Sequence, residues 1–167
     1  MNNKIYTYQP EKKMIKQGAL LSDEAGNTVY EAKMIKHSIF SGYTFMFINH
    51  IKNTEIEHKV GHTITSETST NGNTDIFSTK SRFKFDGKNV WDYLHEQGIR
   101  IKNKLSDRNL GIDYDITLKG EPFAEVKMGG KIIGNRVFFN LITAEENLDL
   151  AFIIAFAIAR TEQLFLD

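Results

Sequence analysis

Apolar and polar residues alternate with period two over most of this chain, and turn clusters break the alternation at short intervals. Lys13 to Leu21 runs into Asp23-Glu-Ala-Gly26-Asn27, and Val29 to Ile35 follows, which predicts a hairpin with a longer loop. Tyr43 to Ile51 is apolar on both faces, as a central strand is. Glu55 to Ile64 sets Ile56, His58, Val60 and His62 against Glu55, Glu57, Lys59 and Gly61. The Thr- and Ser-rich stretch from Thr63 to Thr74, with Asn71-Gly72-Asn73 inside it, predicts a long loop or hairpin tip.

Further along, Arg82-Phe-Lys-Phe85 alternates and ends in the turn dipeptide Asp86-Gly87. Asn89 to Gln97 does not alternate. Its Val90, Tyr93, Leu94 and Gln97 fall at helical spacing, Asn89 can cap, and Gly98 suits the left-handed position after a helix. A short helix is predicted at 89–97. Ile99 to Leu105 and Ile112 to Leu118 return to period two. Lys119-Gly120-Glu121-Pro122 turns the chain into Phe123 to Met128, Gly129-Gly130 and Gly134-Asn135 bracket Lys131-Ile-Ile133, and Arg136 to Ile142 reads as the last strand of the series.

A different pattern closes the series. Thr143-Ala-Glu-Glu146 fits a capping box, and Leu148 to Ala159 is apolar all round except for Asp149. Such a helix must be surrounded by protein. In a chain of strands, a closed barrel threaded by the helix does this. Leu150 to Ala159 is too short to span a bilayer, because it rises about 15 Å where a span takes about 20 residues. Leu164, Phe165 and Leu166 would form a short last strand or packed tail.

Composition narrows the functions. The chain has 167 residues, 41% of them hydrophobic, enough for one folded domain over 1–167. Lys and Arg together number 21, as do Asp and Glu, so no global positive field exists to gather nucleic acid. There is no Cys, which excludes disulfides, thiolate metal sites and a Cys nucleophile and suits a reducing cytoplasm. The first ten residues lack the apolar stretch of a signal peptide.

Hairpins of the form strand, Asp/Asn-Gly, strand, an apolar strand followed by Ala124-Glu125-Val126, and the terminal Leu148-Asp-Leu-Ala-Phe-Ile-Ile-Ala-Phe-Ala-Ile-Ala159 helix together resemble the tubby C-terminal-like superfamily. The LURP-one-related and bacterial tubby-like branches are the most similar, over about Lys13 to Ala159. The resemblance implies a mainly β fold, a closed antiparallel barrel of about twelve strands enclosing the hydrophobic helix. The short helix at 89–97 and the Thr-rich loop depart from the simplest repeat. In the tubby branch, basic residues on the barrel bind phosphoinositide headgroups, and the scramblase branch attaches to membranes through lipidated cysteines. The second route is closed here. The first cannot be carried over residue by residue, since no matching motif is legible.

A basic trace is nevertheless present. Arg100, Lys102 and Lys104 alternate along one strand, with Arg108 beyond, and Lys80, Arg82 and Lys84 do likewise. Arg100, Lys102, Lys104, Arg82 and Lys84 are therefore the candidate anionic-ligand residues. The same alternation fits solvated outer faces with Ile99, Ile101, Phe83 and Phe85 turned inward. Other constellations are weaker. His50, His58 and His62 could offer imidazoles to zinc, but His58 and His62 stand about 13 Å apart on an extended strand. Asp113 and Asp115 form the polar face opposite Ile112, Tyr114 and Ile116. Met128-Gly-Gly-Lys131 lacks the spacing of a phosphate loop, and Trp91 and Tyr93 fit core or partner surface. No catalytic residue, metal or cofactor is indicated.

The expectation is a non-enzymatic binding module for an anionic lipid headgroup, a phosphorylated ligand or a protein partner. It would be cytoplasmic, and peripheral at a membrane if the ligand is lipid. Two alternatives stand beside it: an enzyme with its site at the barrel end near His62 and the 63–74 loop, and a protein acting only through assembly.

Overall fold

Short turns leave consecutive strands no geometry but antiparallel pairing with their chain neighbours. The computed structural model, which describes residues 2–10, 18–38, 42–62, 83–85, 88–105, 112–127 and 139–163, follows that rule almost throughout. Its elements are β1 (Lys4–Pro10), β2 (Ala19–Ser22), β3 (Thr28–Ser38), β4 (Gly42–Asn49), β5 (Thr54–His62), β6 (Phe83–Phe85), β7 (Lys88–Asn89), α1 (Val90–Glu96), β8 (Ile99–Leu105), β9 (Ile112–Leu118), β10 (Glu121–Lys127), β11 (Phe139–Thr143) and α2 (Leu148–Gln163). The expected elements at 13–17, 63–82, 131–138 and 164–166 lie outside the described residues.

Among the described residues, eleven strands form one antiparallel sheet in the order β7-β6-β5-β4-β3-β2-β1-β11-β10-β9-β8. The pairing of β1 with β11, Lys4 opposite Thr143 through Tyr8 opposite Phe139, joins the two ends of the chain's strand series. The opening segment carried no strand expectation, yet Tyr6 and Tyr8 of β1 are buried in the core. β4 lies between β3 and β5, as its two apolar faces require.

Among the described residues the sheet is not closed, so the expected closed barrel is not confirmed. β7 and β8 are its two edges. β7 is two residues long, and the chain then runs through α1 and its terminal turn to reach β8. The chain therefore crosses from one edge to the other through a single short helix. Lys88 binds Glu96 at 3.2 Å, tying β7 to the end of α1.

Gly98 ends α1 as expected. Its φ of +83° is the left-handed conformation, and its amide donates to His95 O at 2.9 Å. Its carbonyl accepts Lys119 N at 2.8 Å, and a Cβ built there would stand 2.9 Å from Lys119 Cγ. The β9–β10 hairpin turns on Lys119 and Gly120, both at positive φ (53° and 91°), between the paired Leu118 and Glu121. This is the two-residue turn whose twist suits adjoining strands.

Helix α2 is buried on every side from Ala151 to Ala159, with Ile153 half-buried. Phe152 stacks on Tyr30 at 4.4 Å and meets Phe47 edge-on at 5.7 Å, while Phe156 meets Phe45 and Phe47, each at 5.3 Å. These rings join α2 to β3 and β4, and Tyr8, 6.1 Å from Phe152, brings in β1. Buried residues of the strands and both helices make one hydrophobic cluster. Among the described residues, no helix is long and apolar enough to cross a membrane.

The start of α2 corrects the expected capping box. Thr143 is still the last residue of β11 and is fully buried, so its hydroxyl donates to Phe123 O at 3.2 Å across β10. A single 3-10 turn at Glu145–Asn147 precedes α2, and Ala144, in extended geometry, stands at its cap without a side-chain bond. Glu145 is held instead by Lys4 of β1.

Candidate binding face on strand β8

The strand that carries the cations is built by alternation. Ile99 is buried and Ile101 half-buried, while Arg100 and Lys102 between and after them are exposed. Lys104 follows two residues on along the same strand. The Lys119 N–H bond to Gly98 O places Gly98 in the hydrogen-bonded register, so by alternation Arg100, Lys102 and Lys104 bond their backbones to β9. Ile99, Ile101, Asn103 and Leu105 turn theirs toward the edge. The Arg100 guanidinium folds back and donates to Ile99 O at 3.1 Å, a carbonyl of that second set.

Register decides how much of this charge is available. Lys102 is opposite Asp115 and Lys104 opposite Asp113, whereas Arg100 is opposite Thr117. Asp115 is in turn opposite Glu125 of β10, which pairs with Lys127 at 3.3 Å. The two aspartates, expected as a solvent face, thus lie directly beside the cations. Opposite charges across an antiparallel pair attract by a few tenths of a kcal/mol to about 1 kcal/mol. Arg100 alone of the three has no carboxylate across from it on β9.

The second basic segment is placed elsewhere. Lys84 lies on β6, opposite Gly61 and Asn89, at the far end of the strand order from β8. Arg82 lies outside the described residues. Hence, among the described residues, β6 and β8 are not hydrogen-bonded neighbours, and Arg100, Lys102 and Lys104 share one strand.

The histidines have separate surroundings. His58 packs edge-on to Phe47 at 5.0 Å, and His50 lies 3.7 Å from Glu31. Among the described residues no three His, Asp or Glu side chains are grouped as a metal site requires. A hollow of about 140 Å³ on the sheet is lined by Leu20, Glu31, Ala32 and Lys33.

One polar cluster has almost no signature in the sequence. Asn49, buried at the end of β4, donates from Nδ2 to Asp149 Oδ1 at 2.7 Å and accepts Ile51 N and Lys52 N on Oδ1, each at 3.0 Å. Lys52 Nζ reaches Asp149 Oδ2 at 2.5 Å, and Tyr30 bonds the same carboxylate. Burial works to raise the Asp149 pKa, but bonds from Lys52, Asn49 and Tyr30 outweigh it and hold the carboxyl below its ordinary value of 3.8. The Tyr30 hydroxyl is pushed up, first by burial and then by the Asp149 charge. The cluster fastens the β4–β5 turn to the start of α2. Its one legible signal is Asp149 itself, the single charge between Leu148 and Ala159 of α2.

The architecture and the sequence pattern converge on one family. The family model for LURP-one-related proteins matches residues 7–161. The chain belongs to the LURP-one-related family. This covers β1 through nearly all of α2, and it is consistent with the tubby-like superfamily resemblance. Comparison with curated proteins found no match, and comparison with solved structures found none.

Proposed function

We propose that this LURP-one-related protein is a non-enzymatic binding module that takes an anionic partner on the outside of its sheet, at Arg100, Lys102 and Lys104. In this reading the sheet is a barrel left open at one seam, and α2 is its axle. The observation that carries the proposal is the contrast between the two sides. The inner side is filled by side chains of α2, all buried from Phe152 to Ala159 except half-buried Ile153, leaving little room for a substrate. The outer side of β8 offers exposed Arg100 and Lys102, with Arg100 opposite no carboxylate on β9. An arginine can hold phosphate or carboxylate with two parallel bonds.

The test replaces Arg100, Lys102 and Lys104 together by Ser. Wild-type protein should pellet with phosphatidylcholine vesicles containing phosphatidylserine, or bind soluble inositol hexaphosphate, and the two probes separate a membrane from a free phosphate ligand. Each cation near an anionic surface contributes about 1 kcal/mol, so the triple variant should bind about 100-fold more weakly with its circular dichroism unchanged. Equal binding by the folded variant would refute the site.

A further inference from the structure

We propose that the outer face of β3, β4 and β5 docks a second copy of this chain across a two-fold axis, as a weak dimer. The contact is independent of the cations on β8. Register sets the outward side chains of these strands in three rows. Glu31, Ile48 and Glu55 make the first, Lys33, Met46 and Glu57 the second, and Lys36, Thr44 and Lys59 the third. Their positions alternate with those of Phe45 and Phe47, which pack inward on Phe156 of α2. Glu55, Glu57, Lys33, Lys36 and Lys59 are exposed, and Glu31 is half-buried. One end of the face is therefore acidic and the other basic, and Ile48 and Met46 of β4 lie between the charged columns.

A face graded from acid to base fits itself when turned end for end. A two-fold axis along the middle row sets Glu31 and Glu55 of each copy over Lys36 and Lys59 of the other, and Met46 over Met46. The same operation gives an exposed isoleucine a place. Ile35 is the extra residue of the β3 bulge between Met34 and Lys36, and it is 47% exposed. The axis carries it to the stretch between Glu31 and Lys33 of the partner. Those two residues, with Leu20 and Ala32, line the hollow of about 140 Å³. A cavity of about 150 Å³ takes up benzene, so this hollow admits an isoleucine side chain. Zero formal net charge leaves no long-range repulsion between copies. A partner of one charge sign would be repelled at one end of the face, whereas a second copy is matched at both. The middle row opposes itself, Lys33 to Lys33 and Glu57 to Glu57, and three strands offer only about 15 Å of width. Stable complexes bury about 800 Å² per partner, so this dimer is weak and forms as concentration rises.

Sedimentation equilibrium of the full chain over a wide range of concentrations is the test. Wild type should pass from monomer to dimer as concentration rises, and less readily at high salt. Glu31→Lys with Glu55→Lys makes both ends of the face basic, and Lys36→Glu with Lys59→Glu makes both acidic. Each double variant, shown folded by circular dichroism, should dimerise at least tenfold more weakly than wild type. An equal mixture of the two should pair at least as well as wild type does. Adding Ile35→Ser to both should weaken that mixed pair about tenfold, which plain attraction between oppositely charged proteins would not do. Two neighbouring acids of β5 should act in opposite senses. Glu55→Gln should loosen the wild-type dimer and Glu57→Gln should tighten it, each about two- to fivefold. The dimer is refuted if wild type stays monomeric at every concentration, or if the double variants dimerise as wild type does. It is equally refuted if Ile35→Ser and Glu57→Gln change nothing. Vesicle and inositol hexaphosphate binding at β8 is read separately and stands or falls by itself.

Discussion

Strands β3 and β4 differ from β8 in what their neighbours demand of them. Each of the former has a paired strand on both sides, and their inner rings Tyr30, Phe45 and Phe47 interlock with Phe152 and Phe156 of α2. Among the described residues β8 has one neighbour, β9, and the register sets Lys102 and Lys104 opposite Asp115 and Asp113. The first region is held by shape and dispersion in a volume from which water is excluded, so almost any change of size costs stability. The second is held by its backbone and by weak charge pairs in water. It can be rewritten cheaply, and is therefore free to serve a partner.

The largest expected effect lies in the first region. Phe152→Ala removes a fully buried ring that touches Tyr8, Tyr30 and Phe47 at once. Such truncations cost about 3–5 kcal/mol, which for a domain of this size lowers Tm by about 10 °C. Thermal unfolding followed by circular dichroism measures it, and a drop under about 3 °C, less than a loss of 1 kcal/mol brings in many domains of this size, would mean that α2 is less tightly packed than these ring contacts require.

Next comes the cluster that joins the interior to a turn. Asn49→Ala leaves the Ile51 and Lys52 amides and the Asp149 carboxylate each short of a partner, and should cost about 2 kcal/mol in urea unfolding. Lys52→Ala should cost less than about 1 kcal/mol, because the Asp149 side chain is 39% exposed and water screens the pair. Its signature is in pH. Asp149 titrates below 3.8 when folded, so the stability it contributes is complete above 3.8 and is lost as pH falls through the lower folded value. The Tm gap between wild type and Lys52→Ala should accordingly be full at neutral pH and narrow below 3.8. A gap that is constant with pH would deny the ion pair any part in it.

How much of this could be read in advance follows from which forces are local. β8 and β9 were legible to the residue, Ile99–Leu105 and Ile112–Leu118, because their alternation is uninterrupted and Gly98 and Lys119-Gly120 mark their ends. The short helix was legible within a residue at each end. β1 was missed because Ile5-Tyr6-Thr7-Tyr8 is short and its neighbours, β2 and β11, include one from the far end of the chain. The capping box failed for a similar reason. Thr143 satisfies the local pattern, yet a carbonyl twenty residues earlier in sequence is the nearer acceptor. For the site, the alternation of Arg100, Lys102 and Lys104 was visible, but the register that places Asp115 and Asp113 beside two of them is a property of strand pairing. No run of residues encodes it. Closure of the sheet was likewise undecidable locally, since it depends on which strands distant in sequence meet.

The smallest effect on stability is expected at the outer face of β8, and it sharpens the comparison most. Lys102→Ser removes one side of the cross-strand pair with Asp115, on an exposed position. Surface pairs of this kind are worth less than about 1 kcal/mol, and often nothing measurable. Urea unfolding of this variant should therefore coincide with wild type within about 0.5 kcal/mol, at low and at high salt. Asp115→Asn provides the reciprocal probe. It removes the carboxylate that competes for Lys102, so it should leave stability equally unmoved while tightening anionic-probe binding about two- to fivefold, an effect of several tenths of a kcal/mol. A stabilising pair and a binding cation make opposite demands on Lys102. If Asp115→Asn destabilises the fold and does not improve binding, the charges of β8 belong to the sheet. If it improves binding at no cost in stability, they belong to the partner.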